Sequence, residues 1–458
     1  MKYTGRILMT AMLAAALSSC HIYDKYELPS AESEIIGRYG EALETPTDST
    51  SLGNLSWEQT FTDPQLQTLI RMALENNKDL ENARLNVEIA QAQLKGAKLS
   101  YFPSLAFTPN GGTASYGGSH MNWSYTLPLA ASWEIDVFGK ILNRKRGAEM
   151  SLQMSKDYEQ ATRSQIVGAV ANTYYAIAAL QMQLQVSRET AKLWEQQVKN
   201  MELMKEAGRV NEAAVVQNRA NYYSIMASIP ELETTLAQTN NTMSLLLNTF
   251  PQTWNVTSDM SFDAPAQLNE GVPMSYLAAR PDVRAAESSF AVAYYATNSA
   301  RANFYPSLVI SAQGGFTNLL GSLITNPGKW FIQLAGSLTA PIFSRGQNIA
   351  TLEAAKAQQQ QALNNFEYTV LNAAAEVSDA MVSYTNNKQK QEMLSKQIAE
   401  LEKSVDITNQ LLMYGSATYL EVLTAQQSLL SAQLSEINAW RSRVAALVSL
   451  YQALGGGR

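Results

Sequence analysis

Residues Leu69–Leu105 read LIRMALENNKDLENARLNVEIAQAQLKGAKLSYFPSL, and Arg280–Leu308 read RPDVRAAESSFAVAYYATNSARANFYPSL. In both stretches a polar, alanine-rich run with helical character passes into an aromatic pair, then Pro-Ser-Leu, then residues of period two. A helix feeds a strand twice in one chain. Working outward, Phe138-Gly139-Lys140 answers Phe343-Ser344-Arg345, and Gly208 in MKEAGRV answers Gly415 in LMYGSATYL, with offsets that drift from 203 through 205 to 207 residues. Drift that small places insertions in loops and leaves one duplicated unit of helix, strand, strand, long helix, turn and helix.

The remaining motifs follow the same order in both halves: WEIDVFGKI, ARPDVRAAESS, FYPSL, an API-F run before a helix, and YGSATYLEVLTAQQSLL. With ALENNKDLENARLNVEIAQAQLKGAKLSYFPSL they make the chain, from about Trp57 to Leu454, resemble the TolC-like outer membrane factors. More narrowly, it resembles the lipoprotein branch that serves resistance-nodulation-division efflux pumps. That resemblance implies a mainly α fold with a β-barrel segment and two internal repeats. It further implies a homotrimer whose twelve-stranded transmembrane barrel continues as a long periplasmic α-helical barrel. The partners it implies are a periplasmic adaptor, an inner-membrane resistance-nodulation-division transporter and outer-membrane lipid.

Composition agrees with long, closely packed helices. Charged residues make up 16% of the 458 positions, against roughly 25% in ordinary soluble domains. Formal net charge is −6 with no lysine-rich block, so the footprint of a nucleic-acid binder is missing. With two histidines, His21 and His120, and the single Cys20, no Cys/His cluster for a metal site or thiol triad can be assembled. The sequence has neither G-x-S-x-G nor G-x-x-x-x-G-K-[ST], and its acidic residues are scattered along helix faces. No enzyme activity and no cofactor are expected. The 17 methionines are dispersed and make no cluster suited to soft metals.

Lys2 and Arg6 precede an apolar run from Ile7 to Leu17, and Leu17-Ser18-Ser19-Cys20 follows; this is the pattern of a signal peptide with a small-residue cleavage site. Resemblance to bacterial lipoboxes implies lipidation at Cys20, the alternative being an ordinary signal peptide with an incidental cysteine. No later segment offers about 20 consecutive apolar residues, so a membrane crossing has to be made by strands. The expected organisation is a signal peptide (1–19), a lipid-anchored irregular strap (20–60), a first repeat (61–250, strands about 101–137), an equatorial connection (251–273), a second repeat (274–454, strands about 302–343) and a tail (455–458).

Helices are expected from Asp63-Pro64 to about Ser100, from Gly139 to Gly208, from Asn211 to Asn248, over Pro281–Ala302, from Gly346 to Tyr414, and onward to Leu454. Ile166, Val170, Tyr174, Ile177, Leu180 and Leu184 recur at helical spacing as a packing seam. Four strands are expected, about Leu105–Ser115, Trp123–Trp133, Leu308–Thr317 and Trp330–Ala340, joined by loops at Asn110–His120 and Asn318–Gly328. Trp123 and Trp133, ten residues apart, span about 25 Å along a tilted barrel, the spacing of two aromatic girdles. Trp330 marks the same girdle in the second half. Four strands cannot close a transmembrane barrel, and a conducting pore needs at least three chains.

The reading these features support is an outer-membrane exit duct that passively conducts drugs or other small molecules from periplasm to exterior. A duct for type I protein secretion and a lipid-anchored scaffold that conducts nothing remain as alternatives. Gly208 and Gly415 are expected at the periplasmic tips, with Asn211 and Ser416 capping the returning helices; the resemblance implies that the adaptor docks there, beside Arg209 and Ala417. The family's constriction commonly has a leucine followed four residues later by an aspartate. Here the leucine is matched by Leu420 and the aspartate position holds Thr424, which places a gate at these two residues but leaves it without a charge.

Overall fold

The computed structural model describes residues 23, 25–30, 33–44, 56–114, 122–260, 277–319 and 328–456. The signal peptide, Cys20, His21, His120 and much of the connection after Met260 lie outside them. The chain divides into two compact units, one of Met1–Pro29, Leu85–Asp157 and Arg284–Tyr368, the other of Ser30–Arg84, Tyr158–Val283 and Thr369–Arg458.

Nine helices and five strands are described: α1 Glu34–Glu44, α2 Trp57–Thr60, α3 Pro64–Asn76, α4 Lys78–Leu99, β1 Ser104–Phe107, β2 Asn110–Ala114, β3 Asn122–Ile135, α5 Lys140–Glu206, α6 Glu212–Leu246, α7 Pro281–Ala302, β4 Ser307–Leu319, β5 Lys329–Thr339, α8 Gln347–Met413 and α9 Tyr419–Ala453. The duplication is exact in helix length. α4 and α7 have 22 residues each, α5 and α8 67, and α6 and α9 35. A 67-residue helix is about 100 Å long.

Three expectations change. The helix read as continuous from Asp63 to about Ser100 is broken at Asn77, whose backbone is extended (φ −65°, ψ 130°). Its side-chain oxygen accepts from the N–H groups of Asp79 and Leu80, and its amide donates to the Leu246 carbonyl at 2.9 Å. Asn77 is therefore the N-cap of α4, satisfying donors that the break exposes. Asp63 does the same for α3, accepting from Gln65 and Leu66.

The strap, expected to be irregular, contains α1, because Ile36, Tyr39 and Ala42 fall three apart and are all buried. The alignment of Phe138-Gly139-Lys140 with Phe343-Ser344-Arg345 is also two residues out. The left-handed glycine that opens α5 is Gly139 (φ 68°), and its counterpart opening α8 is Gly346 (φ 77°). The offset of 207 is thus already reached at the end of the second strand, and it pairs Trp123 with Trp330.

The sheet lies wholly in the first unit. β1 and β2 both pair with β3 in one unbroken antiparallel register, Phe107 opposite Leu129 and Asn110 opposite Thr126. The expected strand from Leu105 is split only at Thr108-Pro109, where Pro109 supplies no N–H and Thr108 donates to the Pro128 carbonyl at 3.2 Å. The working order is therefore four strands, β1/β2–β3–β4–β5, all antiparallel. Gly315 lies opposite Pro128, where a Cβ would overlap the Leu127 carbonyl. A side chain at that position would push two ladder strands apart.

In the second unit the core gathers Trp57, Phe61, Leu66, Ile70, Tyr174, Ile177, Trp440 and Tyr451. The seam residues Ile166, Val170, Tyr174, Ile177, Leu180 and Leu184 are all buried. Rings meet edge to face, Tyr175 on Trp440 at 5.9 Å and Phe61 on Tyr451 at 5.5 Å, the geometry the ring quadrupole favours. The start of the inter-repeat connection is tied to this core. Thr257 N–H donates to the Tyr174 hydroxyl at 2.9 Å, and that hydroxyl donates to Asp63 Oδ2 at 2.5 Å.

Candidate functional site

Strand alternation and register together build two chemically distinct faces. On one lie Leu105 and Phe107 of β1, Leu127, Leu129, Ala131, Trp133 and Ile135 of β3, Leu308, Ile310 and Phe316 of β4, and Trp330, Ile332, Leu334 and Leu338 of β5. Most of this face is open to the surroundings: Leu105 is 68% exposed, Trp330 73% and Leu334 75%. The opposite face carries Ser124, Thr126, Ser132, Ser311, Gln313, Thr317, Gln333 and Ser337, with Thr126 and Thr317 hydrogen-bonded side by side at 3.3 Å. Among the described strand residues the only charges are Glu134 and Lys329. A contiguous exposed apolar face of this kind belongs against lipid or protein.

Of the expected girdle, Trp133 is part-exposed and its Nε1–H donates to the Tyr101 carbonyl at 2.9 Å, and Trp330 is exposed. The Trp123 backbone sits opposite Thr113. Trp330 shares a row with Phe316 and Leu127, and Trp133 shares one with Ile310, six residues along the strands.

Both helix reversals lie in the second unit and are copies of each other. Gly208 N–H donates to Lys205 O and Arg209 N–H to Met204 O; Gly415 N–H donates to Leu412 O and Ser416 N–H to Leu411 O. These are two Schellman closures around left-handed glycines. Ala417 N–H also reaches the Leu411 carbonyl, at 3.3 Å. Asn211 caps α6 as expected, accepting from Ala214 N–H at 3.0 Å. The cap of α9, however, is Thr418 and not Ser416. Its N–H donates to the Glu421 carboxylate at 3.0 Å, the return arm of a capping box. Just beyond, Tyr419 and Leu423 pack with Met201 and Val215. Leu420 stays 65% exposed, and the Thr424 hydroxyl donates back to the Leu420 carbonyl at 2.8 Å.

Sequence reading missed the role of a heavily bonded, buried charge. Arg280 is buried; its Nε and Nη2 grip Asp282 at 3.0 and 2.7 Å, Nη2 reaches Glu376 at 2.6 Å, and Nη1 donates to the Ala453 carbonyl at 3.1 Å. Burial alone would raise the Asp282 pKa. The Arg280 guanidinium outweighs it and holds the carboxyl below its ordinary value. One side chain thus fastens the start of α7 to α8 and to the end of α9. The Arg-Pro-Asp tripeptide was the available signal.

The model of the outer membrane efflux protein family matches residues 69–249 and again 272–456. The chain belongs to the outer membrane efflux protein family. Among curated relatives it is 31% identical over 417 residues to the probable outer membrane lipoprotein SilC of Salmonella typhimurium, covering 89% of each chain. It is 30% identical to the cation efflux system protein CusC of Escherichia coli, covering 98% of each. Among solved structures, CusC superposes with a TM-score of 0.83 at 28% identity, over 95% of this chain and 100% of that one. The open state of the Neisseria gonorrhoeae MtrE outer membrane channel gives 0.80 at 26%, over 95% and 97%. The two matched segments are the two repeats of this family. Its members are efflux channels, and this chain is an outer-membrane efflux channel with the mixed helix-and-sheet fold of the TolC-like proteins.

Proposed function

We propose that three copies of this chain close one twelve-stranded barrel and serve as the passive exit duct of a tripartite pump. A periplasmic adaptor docks at the Gly208 and Gly415 turns, an inner-membrane resistance-nodulation-division transporter supplies the energy, and Cys20 carries a lipid anchor. The observation that carries this reading is the open four-stranded sheet, apolar on one face and polar on the other, with no further strand paired to either edge among the described residues. Four strands cannot enclose a pore, and a bare sheet edge in lipid leaves backbone groups unsatisfied at several kcal/mol each. Closure with further copies removes both costs. The apolar face then meets lipid, with Trp123, Trp133 and Trp330 at its borders, and the polar face lines the conduit.

The polar face is almost uncharged, which suits a conduit for varied small solutes over a filter for one ion. CusC is named a cation efflux system protein, and TtgC of Pseudomonas putida, 29% identical to this chain, a probable efflux pump outer membrane protein; among the described residues none favours a particular cargo. Purified protein reconstituted into a planar bilayer is expected to give discrete ohmic conductance steps. Protein that inserts with lipid yet passes no current would rule out the duct and leave the scaffold.

A further inference from the structure

This inference rests on the trimer proposed above and adds the register of its seam. The chain already contains one junction between repeats, β3 of the first against β4 of the second. Among the described residues the other two members of the duplication, β5 and the β1–β2 edge, each have a neighbour on one side only. We infer that β5 pairs with the β1–β2 edge of the next chain in the register of the β3–β4 junction, setting Ile342 opposite Leu105, Ala340 opposite Phe107 and Ser337 opposite Asn110 of that second copy.

The transfer has no free parameter. First strands map by 203 residues, Pro103 to Pro306, and second strands by 207, Trp123 to Trp330 and Gly139 to Gly346. The hairpins test these offsets independently: Ser104 opposite Ser132 in one repeat becomes Ser307 opposite Thr339 in the other, as observed. Applied to β3–β4, the pairs Ile135–Leu308, Trp133–Ile310 and Ala130–Gln313 become the three pairs above.

Two further observations fit, and one position costs a ladder bond. The transferred register sets the apolar face of β5 (Leu334, Leu338) on the same side as Leu105 and Phe107, whereas a slip of one residue would turn it to the polar side. Thr108 N–H points at β3, so in an extended strand Pro109 faces the seam opposite Leu338, and its missing N–H leaves that one ladder bond unmade. β3 runs to Ile135, whose image is Ile342, yet β5 stops at Thr339. Beyond it Ile342 is 98% and Phe343 85% exposed, as expected of a strand end that lacks its second neighbour.

Because Thr108 and Asn110 direct their backbone groups at β3, the Ser337–Asn110 pair is of the non-hydrogen-bonded kind. Its Cα atoms then lie about 4.5 Å apart, within disulfide range. The test is oxidation of the purified Ser337→Cys/Asn110→Cys protein, read on a non-reducing denaturing gel. Covalent dimers and trimers are expected. Ser337→Cys/Gly112→Cys, displaced by two residues or about 6.6 Å, should give roughly tenfold less, and each single variant none, which also controls for Cys20. Thr339→Cys/Thr108→Cys, at the next pair of the same kind, repeats the test should Asn110→Cys lower the trimer yield. Intact trimers by native mass that fail to crosslink at both designed pairs, or crosslink better at the displaced pair, overturn the register while the trimer stands. A wild-type protein that is not trimeric overturns both.

Discussion

Gly208 and Gly415, 207 residues apart, hold the same left-handed backbone, with φ of 70° and 74°. A Cβ on either would meet nothing within 4 Å, so the requirement is conformational and not steric. Gly208→Ala and Gly415→Ala should each cost about 1–2 kcal/mol, the penalty of left-handed backbone for an L-residue, and asparagine should cost less. Urea unfolding of detergent-solubilised protein followed by circular dichroism checks this; unchanged midpoints for both alanine variants would remove the role assigned to the turns.

Arg280 carries a larger prediction. Its loss strands the buried Ala453 carbonyl and leaves two carboxylates without their cation, so Arg280→Met should cost about 3–5 kcal/mol. Arg280→Lys should recover little, since lysine cannot make the two-pronged contact with Asp282. The Asp282 carboxyl is held below its usual pKa. Its contribution is therefore complete above the unfolded value and is lost as pH falls through the folded one, in the acid range below about 4. Arg280→Met should flatten that part of the stability profile. An unaltered acid limb would show that Arg280 does not set it.

How far the sequence reached can be traced residue by residue. Pro281–Ala302 came out as read because proline opens the helix and the aromatic pair closes it, signals that are local. The break at Asn77 was not legible, since its Asn-Asn pair sits in an otherwise helical run and its amide is fixed by a carbonyl 169 positions away. Thr418 was legible and was passed over: it lies 207 residues after the cap Asn211, but Ser416 is the first polar residue beyond the glycine. The Arg280 bonds to Glu376 and Ala453 join segments that no spacing rule relates. For the proposed gate, the sequence supplied Leu420 and Thr424 by resemblance, and helix periodicity puts them on one face.

Tyr174 links Asp63 at the start of α3 to Thr257 in the connection between repeats. Tyr174→Phe removes both bonds and leaves the Thr257 N–H unpaired, for an expected loss of about 1.5–3 kcal/mol. Burial first, and then the bond to Asp63, push the phenol up to about 12. Stability from this group is complete below the unfolded value near 10 and falls as pH rises from there toward 12. Wild-type protein should lose stability across that alkaline window and Tyr174→Phe should lose less; parallel curves would assign the alkaline loss elsewhere.

The lipid anchor is tested by Cys20→Ala. Mass spectrometry of the wild-type N-terminal peptide should find acyl chains, and the variant should accumulate as unmodified precursor away from the outer membrane. The barrel, built from other residues, should still trimerise. Acylation that survives the substitution ends the lipobox reading.

The proposed gate rests on which side of α9 is occupied. Tyr419 and Leu423 are taken up by Met201 and Val215, so Leu420 and Thr424, four apart, present a face left exposed among the described residues. Three copies of Leu420 around an axis would make an apolar ring, and such rings close narrow pores by dewetting. Thr424 adds no charge beneath it and its hydroxyl proton is spent on the Leu420 carbonyl. Glu421 cannot stand in for the missing aspartate while its carboxylate holds the Thr418 N–H. Leu420→Ser should therefore raise resting conductance and sensitise cells to large antibiotics, with trimer yield unchanged. Thr424→Asp should introduce a block by multivalent cations from the periplasmic side, deepening as pH rises past the carboxylate range. A wild-type channel already blocked strongly by such cations would mean that another acidic ring guards the entrance, and Leu420 would then be a residue of the seam between helices.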